Sequence, residues 1–188
     1  MLPSYYEFHC PVKILCGRKA LANLPHELSA MGAVKPLVIT DKGVVAAGLL
    51  KLLLRAFKDA GTTTGPIFDE TPVDSGVSVV NHIAGLYRAE ACDAIVALGG
   101  GSVMDTAKGV NIVISEGSED LAAFQGVDRL SATMKPLIAI PTTAGTGSEV
   151  TSAAVIFDDV DSKEKIALVS ARLMPHVAIV DPALMTTM

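Results

Sequence analysis

Short apolar runs recur along this chain between longer segments of helical character. Pro36 to Thr40 precedes Val44 to Ala60, Asp93 to Leu98 precedes Ser102 to Ser115, and Pro136 to Ile140 precedes a glycine-rich loop; Val177 to Val180 is a last run. The runs are nearly continuous rather than alternating, which is what strands become when helices cover both faces of their sheet. The pattern predicts an α/β fold with a Rossmann-like parallel sheet flanked by helices. Val73 to Glu90 reads as a further helix, and Gly65 to Asp69 as a further strand.

Two stretches depart from the alternation. Glu7 to Gly17 has strand-like residues around Pro11 and predicts an edge strand or hairpin, because proline cannot donate to a central ladder. Ala153 to Asp158 and Lys165 to Ser170 flank the charged turn Asp159-Val160-Asp161-Ser162, which predicts a β-hairpin within residues 153–170. The chain carries no internal repeat, low-complexity tract or interdomain linker.

Candidate chemistry gathers where the apolar runs end. Gly99-Gly100-Gly101-Ser102 lies between a predicted strand and a predicted helix, an order that brings backbone N–H groups and the positive end of a helix dipole to one point, as in phosphate-binding turns. A plain strand-to-helix turn is the alternative. Ser102 and Asp105 also have capping-box spacing, which marks a helix start independently of the glycines. Asp41 follows Pro36 to Thr40 at the sheet edge where ligands collect, placed either to accept hydrogen bonds from an adenine ribose or to cap the helix ahead of Val44; one role does not preclude the other. The stretch from Pro141 to Glu149 offers four hydroxyls and two glycines after a third strand. Together the three clusters would line one crevice.

Composition narrows the classes. With 188 residues, 50% of them hydrophobic and 19% charged, the chain holds enough apolar side chains for a real core and is not disordered. A net charge of -5 without a Lys/Arg cluster argues against nucleic acid. The absence of a leader pattern or of a long apolar run excludes a membrane span and makes a cytoplasmic protein the expectation. Cys10, Cys16 and Cys92 form neither a disulfide framework nor a zinc-site spacing, and are expected as free thiols. His9, His26, His82 and His176 do not cluster with acids at ligand spacing, so no metal site and no catalytic residue is assigned within the chain.

The segments Gly99 to Lys108 and Pro141 to Thr151 closely resemble the two most diagnostic stretches of the iron-containing (group III) alcohol dehydrogenases. The likeness runs from Phe8, Pro11, Lys13, Ile14 and Gly17 through Thr40-Asp41-Lys42-Gly43 to Val180-Asp181-Pro182-Ala183-Leu184. It implies NAD as cofactor, with Asp41 on the adenosine ribose, Gly99, Gly100, Gly101 and Ser102 on the pyrophosphate, and Thr142, Thr143 and Thr146 along the nucleotide. Lys165 matches a lysine that approaches the cofactor ribose, and Leu184 a residue beside the adenine. A small alcohol or aldehyde is the implied substrate, and a homo-oligomer the implied assembly.

One departure is local: Thr71-Pro72-Val73 stands where the family usually has Asn-Pro-Thr, which puts the contact from that Asn in doubt. A larger one concerns the metal. The family binds iron, or zinc, through an Asp and three His of an all-helical domain that opens with a Gly-x-Asp-Ala-x-x-His helix, and no such motif precedes Met188. Asp181 is not that Asp. Residues 1–188 are therefore expected to be the NAD-binding, dehydroquinate synthase-like N-terminal domain, with the helical domain missing. Alternatives are a relative of glycerol dehydrogenase or dehydroquinate synthase, or a non-catalytic, truncated nucleotide-binding module.

Overall fold

The computed structural model describes residue 5 and residues 9–160 and 163–186. Six strands form one parallel sheet: β1 (Lys13–Cys16), β2 (Pro36–Ile39), β3 (Ile67–Phe68), β4 (Ala94–Gly99), β6 (Leu137–Pro141) and β9 (Val177–Val180), in the order β1-β9-β6-β4-β2-β3. A smaller sheet holds β5 (Gly126–Val127), β7 (Ala153–Phe157) and β8 (Lys165–Val169), with β7 and β8 antiparallel as the expected hairpin. Part of that hairpin's turn, Asp161 and Ser162, lies outside the described residues, as do Glu7 and Phe8 at the start of the expected edge strand. β1 is an edge strand paired in parallel with β9.

The central strands are apolar throughout because both sheet faces are covered. Leu37, Ile39, Ile95, Ala97, Leu137 and Ala139 point into a core shared with α4 (Val77–Ala89), α5 (Gly101–Glu116) and the small sheet. Their alternates Val38, Val96, Leu98, Ile138, Ile140 and Ile179 point the other way, against α1 (Leu24–Ala30) and α3 (Leu49–Asp59). Each fully buried Leu, Ile or Val contributes about 1.5–3 kcal/mol relative to exposure. Two buried faces thus account for the continuous runs read from the sequence. No helix among the described residues is long and apolar enough to cross a membrane.

Three boundaries differ from the sequence reading. The single helix expected over residues 44–60 is two: α2 (Lys42–Ala46) stops before Gly48, whose φ of 77° starts α3 afresh. That left-handed backbone suits glycine and ends the first helix. The helix expected from Val73 begins at Val77, because Asp74 takes φ 51° and Gly76 becomes the N-cap. The capping box is not formed. Gly100 caps α5 without a side-chain hydrogen bond, Ser102 lies inside the first turn, and the Asp105 carboxylate accepts instead from Val155 N at 3.1 Å.

Strand order fixes where a ligand would enter. From β2 the chain moves outward to β3; from β4 it moves the opposite way, through α5 to β6. Adjacent strands whose connections diverge open a crevice at their C-terminal ends. Asp41 and Gly99 to Gly101 stand there.

Candidate functional site

A cleft of about 370 Å³ opens at this switch point, lined from β2 by Asp41, Lys42 and Gly43, from the segment before α4 by Thr71, Pro72 and Val73, from the start of α5 by residues 100–103, and by Thr143. Its floor is the N-terminus of a 16-residue helix with no capping side chain and no acid in the first turn. The Met104 N–H already bonds the Gly100 carbonyl, so the N–H groups of Gly101, Ser102 and Val103 have no acceptor within the helix. A place for negative charge follows.

The three glycines differ in what they do. A Cβ on Gly99 would lie 2.5 Å from Val103 Cγ2, so the end of β4 needs hydrogen there simply to pack against the first turn of α5. A Cβ on Gly100 would stand 3.2 Å from Thr143 Oγ1, and one on Gly101 would face Thr146 and Ser148 at 3.7–3.8 Å. Gly100 and Gly101 therefore leave open the space between α5 and the Thr142–Thr146 loop. A polar group entering that space meets backbone on one side and hydroxyls on the other.

Asp41 fills its capping role: it is the N-cap of α2, and its Oδ1 accepts from Val44 N at 2.8 Å. One carboxylate edge is thus fixed by the helix, which orients the group toward the cleft it lines. Thr142 is fully buried; its N–H donates to the Gly99 carbonyl at 3.0 Å, tying the loop after β6 to the end of β4. The Thr142 Oγ1 hydroxyl is buried with no hydrogen-bond partner, and so is Thr71 Oγ1. A buried hydroxyl without a partner costs about 1–3 kcal/mol. Thr146 is exposed, and its hydroxyl accepts from Ser148 N at 3.3 Å.

Five expected site residues are not among those lining this cleft: Gly99 and Thr142 are packed beneath it, Thr146 stands farther along the loop, and Lys165 and Leu184 lie elsewhere. Lys165 on β8 is exposed and paired with Asp74 at 2.9 Å. Leu184 is buried in the core that also contains Val44. Asp181 is likewise structural, its carboxylate accepting from Leu21 N and Ala183 N.

Sequence reasoning missed Lys42 and Val103 as cleft residues, and missed Lys108 as the element holding the walls together. Lys108 is 1% exposed, and its Nζ donates to Thr151 O at 2.8 Å, Thr151 Oγ1 at 3.1 Å and Ala153 O at 2.8 Å. It so ties α5 to the chain leaving the Thr142 loop. Burial brings the ammonium down to about 8, against the opposing pull of Asp105 and Glu149; burial likewise raises Asp105, opposed by the Val155 N–H. The signal was available, since a lysine on the apolar face of a helix must find acceptors.

Metal ligands are a separate matter. Among the described residues no group of three or more His, Cys, Asp or Glu could hold a metal ion. His82 packs its ring against Phe68, and His176 Nδ1 accepts from Leu137 N. The residues present do not fit an iron or zinc centre.

Comparison with known proteins bears on this geometry. A family model for iron-containing alcohol dehydrogenases matches residues 11–182. The NAD-dependent methanol dehydrogenase of Bacillus methanolicus is 37% identical over 95% of this chain and 46% of its own length; the 4-hydroxybutyrate dehydrogenase of Cupriavidus necator is 39% identical over 88% and 43%. Among solved structures, a 1,3-propanediol oxidoreductase superposes with a TM-score of 0.90 at 33% identity, covering 96% of this chain and 47% of that one. The sulfoacetaldehyde reductase of Bifidobacterium kashiwanohense, solved with NAD+, gives 0.83 at 31%, covering 97% and 47%. The chain spans about half the length of these relatives.

Proposed function

Because the chain belongs to the iron-containing alcohol dehydrogenase family, we propose that residues 1–188 form the NAD-binding part of a dehydrogenase that interconverts a small alcohol with its aldehyde or ketone. The observation that carries the proposal is the convergence of Asp41, the Gly99 turn and Thr143 on one cleft over the uncapped start of α5. Relatives named as NAD-dependent or solved with NAD+ support the choice of cofactor.

In this reading each group has a physical task. The N–H groups of Gly101, Ser102 and Val103 hold the pyrophosphate, helped by the dipole of α5. The carboxylate edge of Asp41 not used by Val44 accepts from the ribose hydroxyls. Thr143 and Thr146, exposed on the loop, donate along the nucleotide, and the buried Thr142 anchors that loop to the end of β4. When bound, the nicotinamide supplies the hydride acceptor or donor that alcohol oxidation and carbonyl reduction require. Lys108 keeps the loop walls in register.

By the family resemblance, this reading places the metal and substrate sites of a whole enzyme in the family's all-helical domain. Association of copies belongs to the same reading, as does a cytoplasmic location, which accords with three free cysteines. A non-catalytic nucleotide-binding module would share the cleft and differ only in lacking turnover.

Cofactor choice tests the proposal. A 2′-phosphate beside Asp41 sets two like charges together, so NADH should bind at least about tenfold tighter than NADPH, a difference of only about 1.4 kcal/mol. Asp41→Gly should erase most of that preference. Equal affinities in the parent, or an unchanged preference in Asp41→Gly, would remove the ribose assignment.

A further inference from the structure

Asp41 is not alone at the rim of the cleft. Lys42 follows it, lines the same cleft, and carries a positive charge that would offset the repulsion Asp41 exerts on a 2′-phosphate. That charge is engaged: Lys42 Nζ lies 2.8 Å from Glu70 Oε1, contributed by the segment that continues into the cleft wall at Thr71.

We infer that Glu70 is a second determinant of cofactor choice, acting through Lys42: by pairing with this lysine it denies a 2′-phosphate its nearest cation and keeps the rim net negative. The inference rests on the cofactor reading above. Its logic is a charge count over three adjacent side chains. With Glu70 present, Asp41, Lys42 and Glu70 sum to one negative charge; without it, Asp41 and Lys42 cancel, while Asp69 contributes equally to both states.

The surroundings favour the paired state. Through their mutual hydrogen bond Lys42 is held above its ordinary range and Glu70 below, so both are charged near neutral pH. Asp69 adds negative field at Lys42, and His82 is the other titratable neighbour of Glu70. The two side chains remain 75% and 63% exposed, so the pair is open to solvent. An exposed pair is easily broken and sensitive to salt, which makes its effect moderate and diagnosable.

The test uses the full 188-residue chain with NADH and NADPH as fluorescent probes, in low and high salt. The variants are Glu70→Gln, Lys42→Met and the double variant, with thermal melts on each. Glu70→Gln should tighten NADPH by about threefold or more at low salt while NADH changes by less than about twofold. The gain should shrink at high salt and vanish with Lys42→Met. Equal shifts for both cofactors, no shift, or a gain that survives Lys42→Met would overturn the inference while leaving the cofactor reading intact. A parent chain that binds neither dinucleotide would overturn both, and so the two failures are distinct.

Discussion

Replacing Gly100 with valine separates ligand binding from folding at a single atom position. Gly100 has φ -86° and ψ -164°, an extended conformation open to any residue, so the backbone itself resists nothing. The new Cβ would meet only Thr143, its Oγ1 at 3.2 Å and its Cβ at 3.7 Å, and Thr143 is exposed and can move by the few tenths of an ångström required. Folding should therefore lose no more than about 1 kcal/mol, the low end for overpacking. The valine methyls, however, would occupy the gap between α5 and the Thr142–Thr146 loop. If two charge-assisted hydrogen bonds from the helix start to a pyrophosphate are lost, at about 1.5–3 kcal/mol each, affinity falls by at least about a hundredfold. Gly99→Ala is the contrast, since its Cβ would lie 2.5 Å from Val103 and must disturb the packing of α5 on β4. Circular dichroism melts and NADH fluorescence titrations on the same samples read both effects. Gly100→Val that stays folded and binds NADH within about twofold of the parent would refute the placement of the phosphate.

Two further predictions concern charge and metal. Lys108 has its pKa lowered from 10.5 to about 8 by burial; between those values the unfolded chain retains a proton that the folded chain has released. Stability therefore rises with pH across that window, by up to about 1.4 kcal/mol per unit, and Lys108→Met should remove this rise. Urea melts of both proteins from pH 8 upward give the difference directly, with the opposing contributions of Cys92 and Tyr87, both raised by burial, cancelling between them; a difference independent of pH would show that Lys108 is not desolvated. The 188-residue chain should hold no stoichiometric iron or zinc and show no turnover of a short primary alcohol with NAD and added ferrous iron. Tightly bound metal with turnover would mean that His or Cys residues of this chain serve as ligands.

The central sheet was legible because four of its strands are buried on both faces and so wrote unbroken apolar runs. The cleft was legible for a related reason: chemistry at the C-terminal ends of parallel strands follows those runs immediately, as Asp41, Gly99 and Thr142 do. What escaped depended on tertiary partners. Ser102 and Asp105 have the spacing of a capping box, yet Asp105 is taken by Val155 from a strand fifty residues away. β5, two residues long, exists only by pairing with β8. Helix α1 went unread because it is short, although Leu24 and Leu28 one turn apart and Pro25 in the first turn are its signature. Lys42 and Glu70 could be matched only once β2 and the chain after β3 were side by side.

The most direct measurement is an NMR titration of the isotope-labelled chain with NAD+. Binding at the switch-point cleft predicts saturable shifts concentrated in the backbone amides of Asp41, Gly100 to Val103, Thr142 and Thr143. A second groove, at the opposite end of the strands, is lined by Pro25, Leu28, Pro36, Phe57 and Thr62 and serves as the internal control. Shifts centred on that groove, or no saturable shifts at all, would contradict the account.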